Sequence, residues 1–377
     1  MANTKSPEAK KNIIVIYGGR SGEHEVSIRS AISVVQNLSR ELYTLSLIGI
    51  TKNGLWYYQP DKVVKTCLTE GVLEIQEKYP VSLVPGKGVY RTDSKNTLVP
   101  VPADVFFPVL HGTFGEDGTI QGLFDMMGIP YVGSGVLSSS LCMDKEKIKQ
   151  IWEHDKLPII PFKTFFAKNS NDLPNQSRIQ DLWRTWTAQL GEPLFVKPAR
   201  AGSSVGISKV FNAGQLETAL ELALSYDTKV IIESAMKARE LECSVVGNLK
   251  PRAFVPGEVV PHHEFYDYEA KYIDPNGAAL LIPAPIPEDV SIRVRDLAIR
   301  AYRSAHCRGL GRVDFFYHPE KDALYLNELN TMPGFTSISM FSKMCEHGGL
   351  SYPELLSELI SYAEEEFRVR SAIRYSY

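Results

Sequence analysis

The chain reads as a mixed α/β and α+β protein, with a doubly wound α/β domain followed by antiparallel units. Three observations predict this class. In the first third, apolar strand-like runs alternate with stretches of helical period, the pattern of a parallel sheet with helices on its faces. From Asp144 onward, strands group with strands instead. Further on, Gly311 to Gly334 reads as two strands around a turn at Pro319 to Asp322. A chain of 377 residues exceeds one ordinary core. The expected division is 1–143, 144–234 and 235–377.

Asn12 to Gly19 is a buried, parallel-type strand ending in a glycine turn, Val26 to Leu38 continues with helical periodicity, and Tyr43 to Thr51 is a second strand. Gln59 to Thr97 reads as irregular surface excursions, broken by turn signals at Pro85-Gly86 and Lys87-Gly88. Asp104 to His111 resumes the sheet, Thr119 to Met127 is a helix, and Ile129 to Gly133 is another strand. In the second unit a helix at Lys145 to His154 leads into strands at Phe162 to Ala167, Leu194 to Lys197 and Gly206 to Val210. A helix at Ala213 to Tyr226 and the strand Lys229 to Glu233 follow. Beyond Ala235 the sequence is strand-rich and closes in a helix near Pro353 to Phe367.

Composition narrows the function class. Hydrophobic and charged fractions of 44% and 23% are those of a soluble globular protein. A net charge of −3 gives no electrostatic case for nucleic acid or an anionic membrane. Met1 to Asn12 is polar and lacks the apolar core of a signal peptide, and no run approaches bilayer length. Cys67, Cys142, Cys243, Cys307 and Cys345 are widely spaced without a C-x-x-C pair, which argues for reduced thiols and against a zinc site. A cytoplasmic enzyme is the expectation.

The richest chemistry lies in the strand pair. Alternation puts Arg312 and Asp314 on one face of the first strand, and Glu328 and Asn330 on one face of the second. Two carboxylates and an amide oxygen make a hard-oxygen site suited to Mg²⁺ or Mn²⁺, and Mg²⁺ usually shares its shell with phosphates, so a nucleotide is implied. An edge whose polar face looks into solvent would read alike, but Asn330 to Gly334 follows directly as a turn that places backbone donors beside the acids. Phe195 to Lys209 is a strand, a small-residue loop and another strand. There Gly202, Ser203, Ser204 and Gly206 allow close approach to a phosphate, and Lys197 can reach the same anion. No Walker A pattern occurs, so the loop resembles a flap over phosphates more than a P-loop, and a flexible hairpin tip would look similar.

Gly18-Gly-Arg-Ser-Gly-Glu-His-Glu-Val-Ser27 sits at a strand-to-helix junction, where α/β sheets bind ligands. Glu23 and Glu25 there serve either as helix caps or, for Glu23, as a partner for a substrate ammonium; from the motif alone capping is the simpler job. Leu110 to Gly118 is a second such loop, bringing His111 to the same sheet edge, where a single histidine is more commonly structural than catalytic. Glu233 and Glu240 flank a turn and either bind adenine amino and ribose hydroxyl groups or are ordinary surface acids. Glu264 to Asp274 is aromatic and charged without a clean period, which suits a mobile loop folding over a site.

In order, these segments resemble the D-alanine:D-alanine ligases of the ATP-grasp superfamily. G-G-x-S-x-E-H-E-V-S, H-G-x-x-G-E-D-G, M-D-K, V-K-P-x-x-x-G-S-S-V-G, R-E-x-E, E-F-Y-D-Y-E-A-K-Y, G-x-x-R-V-D and N-E-x-N-T-x-P-G-x-T extend from Gly18 to Met340. The resemblance implies an ATP-grasp fold and the joining of two D-alanines through an acyl phosphate, with ATP becoming ADP and phosphate, for peptidoglycan precursor synthesis. It implies that Asp314, Glu328 and Asn330 ligate two Mg²⁺ or Mn²⁺ ions. Lys145 and Lys197 would contact ATP phosphates, Ser203 and Ser204 would cover the γ-phosphate, and Lys271 would reach toward the transferred phosphoryl group. Glu233 would meet adenine and Glu240 the ribose. Glu23 would hold the first D-alanine's ammonium with His111 close by. Arg312 and the backbone at Gly334 would stabilise the oxyanion, and Ser339 with Met340 would receive the second carboxylate. Tyr272 would link through Ser203 to Glu23. A homodimer is the expected assembly. Ala201 stands where some members carry a polar or acidic residue and receives no role.

Three other readings compete. A D-alanine:D-lactate ligase goes with Phe at the Tyr272 position or a differently built loop, and this chain has neither. A binding-only nucleotide sensor would not need Arg312. A Rossmann dehydrogenase lacks its G-x-G-x-x-G.

Overall fold

A computed structural model describes residues 9–169, 172–202, 205–261, 278–336 and 338–374. Ser203, Ser204, Lys271 and Tyr272, with the aromatic segment from Glu264 to Asp274, lie outside the described residues.

β1 (Lys11–Gly18) forms from a β-branched run whose residues Ile13 to Tyr17 are fully buried. Parallel neighbours flank it, β2 (Tyr43–Ile50) on one side and β7 (Val105–Pro108) on the other. Alternate side chains feed two cores. Ile13, Val15 and Tyr17 pack with Ala31, Val34 and Val35 of α1 (His24–Asn37). Ile14 and Ile16 pack with Ile120 and Phe124 of α3 (Thr119–Met127). Apolar residues on both faces are what a doubly wound sheet requires.

Beyond β2 the sheet runs antiparallel through β3 (Trp56–Gln59), β4 (Tyr79–Val84), β5 (Gly88–Thr92) and β6 (Leu98–Val101), with α2 (Asp61–Glu70) between β3 and β4. Gln59 to Thr97 is therefore not the irregular excursion its turn signals suggest. Those signals mark the tip of the β4–β5 hairpin, and Val81, Leu83 and Val89 join the α3-side core. Conversely, the strand expected at Ile129 to Gly133 shrinks to a single bridge between Phe106 and Tyr131. Pro130 has no N–H to donate, and Gly133 turns the chain away at φ +110°.

The second sheet, in the order β10-β9-β11-β8, is antiparallel throughout. It comprises β8 (Phe162–Phe166), β9 (Leu194–Pro198), β10 (Ser208–Val210) and β11 (Lys229–Ser234). α6 (Gln176–Leu190) and α7 (Ala213–Leu224) cover it with a core of their own around Trp186, Val196, Leu220 and Ile232. α6 is not among the elements expected from sequence, although Ile179, Trp183, Trp186 and Leu190 recur at helical spacing.

The third sheet runs β15-β14-β12-β16-β17, with β13 on β12. Its strands are β12 (Arg239–Val246), β13 (Arg252–Ala253), β14 (Gly257–Pro261), β15 (Ala278–Leu281), β16 (Leu310–His318) and β17 (Ala323–Asn330). α4 (Val136–Met143) and α5 (Lys145–His154) precede the second sheet in sequence. Yet Ile148 and Trp152 of α5 pack into the third sheet's core, against α8 (Glu288–Ser304) and Val313, Phe315 and Leu326. α9 (Met340–His347) and α10 (Tyr352–Ser371) instead complete the core beneath β1 and β7, together with Phe335. α10 starts from a capping box between Ser351 and Glu354, which satisfies its first free amides.

Candidate active site

β1 and β7 end side by side, so the loops that follow them meet at the carboxyl edge of the parallel strands. Glu23 lies on the first loop and His111 on the second. Glu23 occupies the N-cap position of α1, yet its side chain makes no cap hydrogen bond, so capping is not its job. Its carboxylate instead lies against two glycines. A Cβ on Gly112 would fall 2.5 Å from Glu23 Oε2, and one on Gly202 would fall 3.3 Å away. Gly112 also has φ +70°, where a side chain would be strained. Thus the loop after β7 and the flap from β9 both close on one acid. Glu25, by contrast, pairs at the surface with Lys52.

His111 is 3% exposed and is held at both nitrogens. Nδ1 lies 3.0 Å from the Met332 carbonyl, Nε2 lies 3.0 Å from Ser30 Oγ, and Glu116 Oε1 stands 3.7 Å from Nδ1. Burial alone would lower the imidazole, but Glu116 outweighs it and holds His111 above its ordinary value. Its visible work is structural: it ties the N-terminal sheet to the turn after β17.

Across the cleft, β16 and β17 pair so that Arg312 faces Asn330 and Asp314 faces Glu328, with a bulge just beyond Asp314. The strand period read from sequence pairs the residues within each strand, and the bulge, which skips Asn327, brings all four to one face. Arg312 grips both oxygens of Asp314 at 2.7 Å and lies 3.1 Å from Glu242 Oε2. Burial would depress the guanidinium, yet Asp314 and Glu242 hold it well above its usual value. Asn330 Nδ2 donates to Asp314 Oδ2 at 3.1 Å. From the start of α5, Lys145 donates to the Ala201 carbonyl at 2.8 Å and lies 3.6 Å from Glu328 Oε2. Among the described residues no cluster of three or more His, Cys, Asp or Glu could cage a metal ion alone. Two carboxylates, an amide oxygen and adjacent cations fit a Mg²⁺ or Mn²⁺ whose shell is completed by phosphate and water.

The described residues of the turn after β17 are held firmly in place. Phe335 stacks among Phe107, Phe341 and Tyr352, while Ser339 Oγ accepts from Thr336 N at 3.0 Å. Gly334, Ser339 and Met340 reach the cleft wall here. Met340 is 5% exposed and packs against Gly257, so what it can offer a ligand is its backbone at the α9 N-terminus.

One cleft of about 550 Å³ joins Glu23, His111, Lys145, Arg312, Glu328 and Asn330. Lys197 and Glu233 are not part of its wall. They form a buried pair, with Lys197 Nζ donating to Glu233 Oε2 at 2.6 Å. Asp314 is 9% exposed beneath Arg312, and Glu240 lies on β12 between Val259 and Phe316. Glu242 and Glu116 stand in the motifs read from sequence but without a role there. For Glu242 the signal was available, since a period of two from Glu240 puts it on the same strand face, opposite Asp314.

Comparison with known proteins agrees with this geometry. The family model "D-ala D-ala ligase N-terminus" matches residues 12–134, and "D-ala D-ala ligase C-terminus" matches 151–361. A D-alanine–D-alanine ligase of Treponema denticola is 46% identical over 363 residues, covering 95% of this chain and 97% of the relative. One from Thermoanaerobacter sp. is 48% identical over 362 residues, covering 94% and 97%. Among solved structures, the D-alanine-D-alanine ligase from Coxiella burnetii superposes with TM-score 0.79 at 32% identity, covering 96% of each chain. The VanG D-Ala:D-Ser ligase from Enterococcus faecalis superposes with TM-score 0.81 at 35% identity, covering 94% of this chain and 100% of that one. With both family models matched in order and full-length relatives at this identity, the chain belongs to the D-alanine–D-alanine ligase family of ATP-grasp enzymes.

Proposed function

We propose that the chain is an ATP-dependent ligase joining two D-alanines into D-alanyl-D-alanine for peptidoglycan synthesis. The observation that carries this is the single cleft with Glu23 on one wall and the Arg312, Glu328 and Asn330 face on the other. An ammonium-binding acid thus faces a phosphate-handling site. A carboxylate is a poor electrophile until phosphorylated, so the protein's task is positioning and charge neutralisation. Asp314, Glu328 and Asn330 would hold two Mg²⁺ or Mn²⁺ ions, which supply positive charge to the phosphates. Lys145 and Lys197 orient the triphosphate, with Glu233 and Glu240 toward adenine and ribose. Glu23 receives the first substrate's ammonium, and His111 keeps the Met332 turn against that pocket. Arg312 and the Gly334 amide stabilise the oxyanion formed when the second amine attacks. Ser339 and the Met340 amide, at a helix N-terminus, suit the second carboxylate. Roles for Ser203, Ser204, Lys271 and Tyr272 rest on the motif match, as does homodimeric assembly, and the division at 143/144 and 234/235 rests on the change in strand and helix pattern along the sequence. No helix among the described residues is long and apolar enough to cross a membrane. The cytoplasmic location rests on the sequence reading.

The test is ATP-dependent phosphate release with D-alanine, L-alanine, D-serine and D-lactate, products identified by mass spectrometry. D-alanyl-D-alanine as main product is expected. A depsipeptide or D-alanyl-D-serine in its place would overturn the acceptor assignment, and phosphate release independent of any amino acid would overturn the ligase reading.

A further inference from the structure

Lys149 has no part in the site described so far. It stands on α5 one helical turn beyond Lys145, on the same helix face. It is 0% exposed, and its ammonium lies 2.9 Å from Glu233 Oε1. The other oxygen, Glu233 Oε2, accepts from Lys197 at 2.6 Å. The strand register explains the meeting. Lys197 of β9 pairs with Ile231 of β11, so Glu233, two residues on, is its diagonal neighbour on the same sheet face. α5 then brings Lys149 to that face from the third sheet's core.

One carboxylate therefore balances two ammoniums, and the trio carries a net positive charge away from water. Burying charge is costly, and a methionine of similar length would fill the position without that cost. The charge itself needs a reason. Burial pushes the Lys149 ammonium below its ordinary range while Glu233 opposes the shift. Burial would raise Glu233, but Lys149 and Lys197 together drive it down to about 2.

We infer that Lys149 is a positioning residue of the nucleotide site: it keeps Glu233 ionised and in place while Lys197 turns from Glu233 to a phosphate oxygen. With both lysines present, a polyphosphate can draw Lys197 away without leaving a buried carboxylate stripped of its counter-charge. With Lys149 removed, Lys197 becomes the sole counter-ion in the trio, and its transfer to phosphate uncovers Glu233. This inference rests on the proposed reading that Lys197 and Glu233 serve ATP.

The experiment uses the full chain with Mg²⁺ and no amino acid, measuring ATP binding by calorimetry for wild type, Lys149→Met, Lys149→Arg, Glu233→Gln and the Lys149→Met/Glu233→Gln double variant. Steady-state KM and kcat and thermal unfolding accompany it. Lys149→Met should bind ATP roughly 10- to 100-fold more weakly, the scale of close charge pairs. Its KM for ATP should rise by a similar factor and kcat should fall far less, while Lys149→Arg should recover most of the affinity. Because Lys149 acts through Glu233, adding Lys149→Met to Glu233→Gln should change affinity by less than about twofold. That comparison still decides the matter if Lys149→Met alone fails to fold, since the double variant removes the unbalanced acid as well. Wild-type affinity in Lys149→Met, a loss confined to kcat, or additive losses in the double variant would overturn the inference while leaving ATP use intact. A wild-type chain that binds no ATP would overturn the nucleotide reading itself, and this inference with it.

Discussion

Arg312 and Asp314 illustrate how charge is arranged at the level of single side chains. The guanidinium holds both Asp314 oxygens, and Asn330 adds a third donor. Neutralising Asp314 would therefore remove a negative charge from the proposed metal site and also loosen Arg312. For Asp314→Asn or Glu328→Gln, kcat should fall by at least about 100-fold, the scale of electrostatic stabilisers. Glu328→Gln should leave Tm nearly unchanged, whereas Asp314→Asn, which strips Arg312 of a buried counter-charge, should lower it. Near-wild-type turnover at saturating Mg²⁺ would refute the assignment. The period of two made each strand's polar pair legible, Arg312 with Asp314 and Glu328 with Asn330, but the bulge between Asp314 and Phe315 that turns both pairs to one face was not. Nor was Lys149. A lysine on an amphipathic helix ordinarily faces water, and only the approach of β11 shows that this one is enclosed.

Elements of strong, uninterrupted period were equally legible: α3 and α5 end where the sequence places them. The β3–β6 meander was not, because its strands are short and only partly buried, so little alternation survives to be read. The placement of Glu23 against Gly112 and Gly202, without a cap bond, also needed the structure, since its motif alone suits a cap, whereas His111 proves to be the core histidine its motif suits. The turn after β17 behaves as an element in its own right, with Phe335 as its anchor. Phe335 is fully buried against Phe107, Phe341 and Tyr352, and its carbonyl accepts from Tyr352 Oη at 2.7 Å. Phe335→Ala should cost about 3–5 kcal/mol by urea unfolding. It should also raise the KM for D-alanine, because Gly334 and Ser339 hang from the same anchor. A loss below about 1 kcal/mol would show that the turn is held by its hydroxyl bonds instead.

At the scale of the molecule, the third sheet shares cores with its neighbours unequally. It shares a continuous core with the N-terminal sheet, whereas the second sheet keeps its own. The Lys149, Glu233 and Lys197 trio spans the seam between the second and third sheets, so it reports on acid stability across that seam. Glu233 has a folded value of about 2 against 4.5 for an ordinary glutamate. Its contribution is complete above the unfolded value and is lost as pH falls through the folded one. Urea midpoints of wild type should therefore decline between pH 4.5 and about 2 more steeply than those of Glu233→Gln. Parallel slopes would mean that Glu233 is not ionised in the folded chain.

The placement of α10 also matters during synthesis. The face of β1 that carries Ile13 and Val15 is made long before Leu355, Leu359 and Ile360 of α10, which complete that core. A ribosome working at roughly 5–20 residues per second leaves that face covered by α1 but not by α10 for about 17–70 seconds. During this interval the nascent chain depends on chaperones or on partial collapse. A chain released at Leu350 should accordingly be captured by holdase chaperones or sediment as aggregate, while the full-length chain stays in solution. If the shortened chain instead folds its N-terminal sheet, with native protection of the β1 amides in hydrogen exchange, α10 is an ornament of that core and translation need not wait for it.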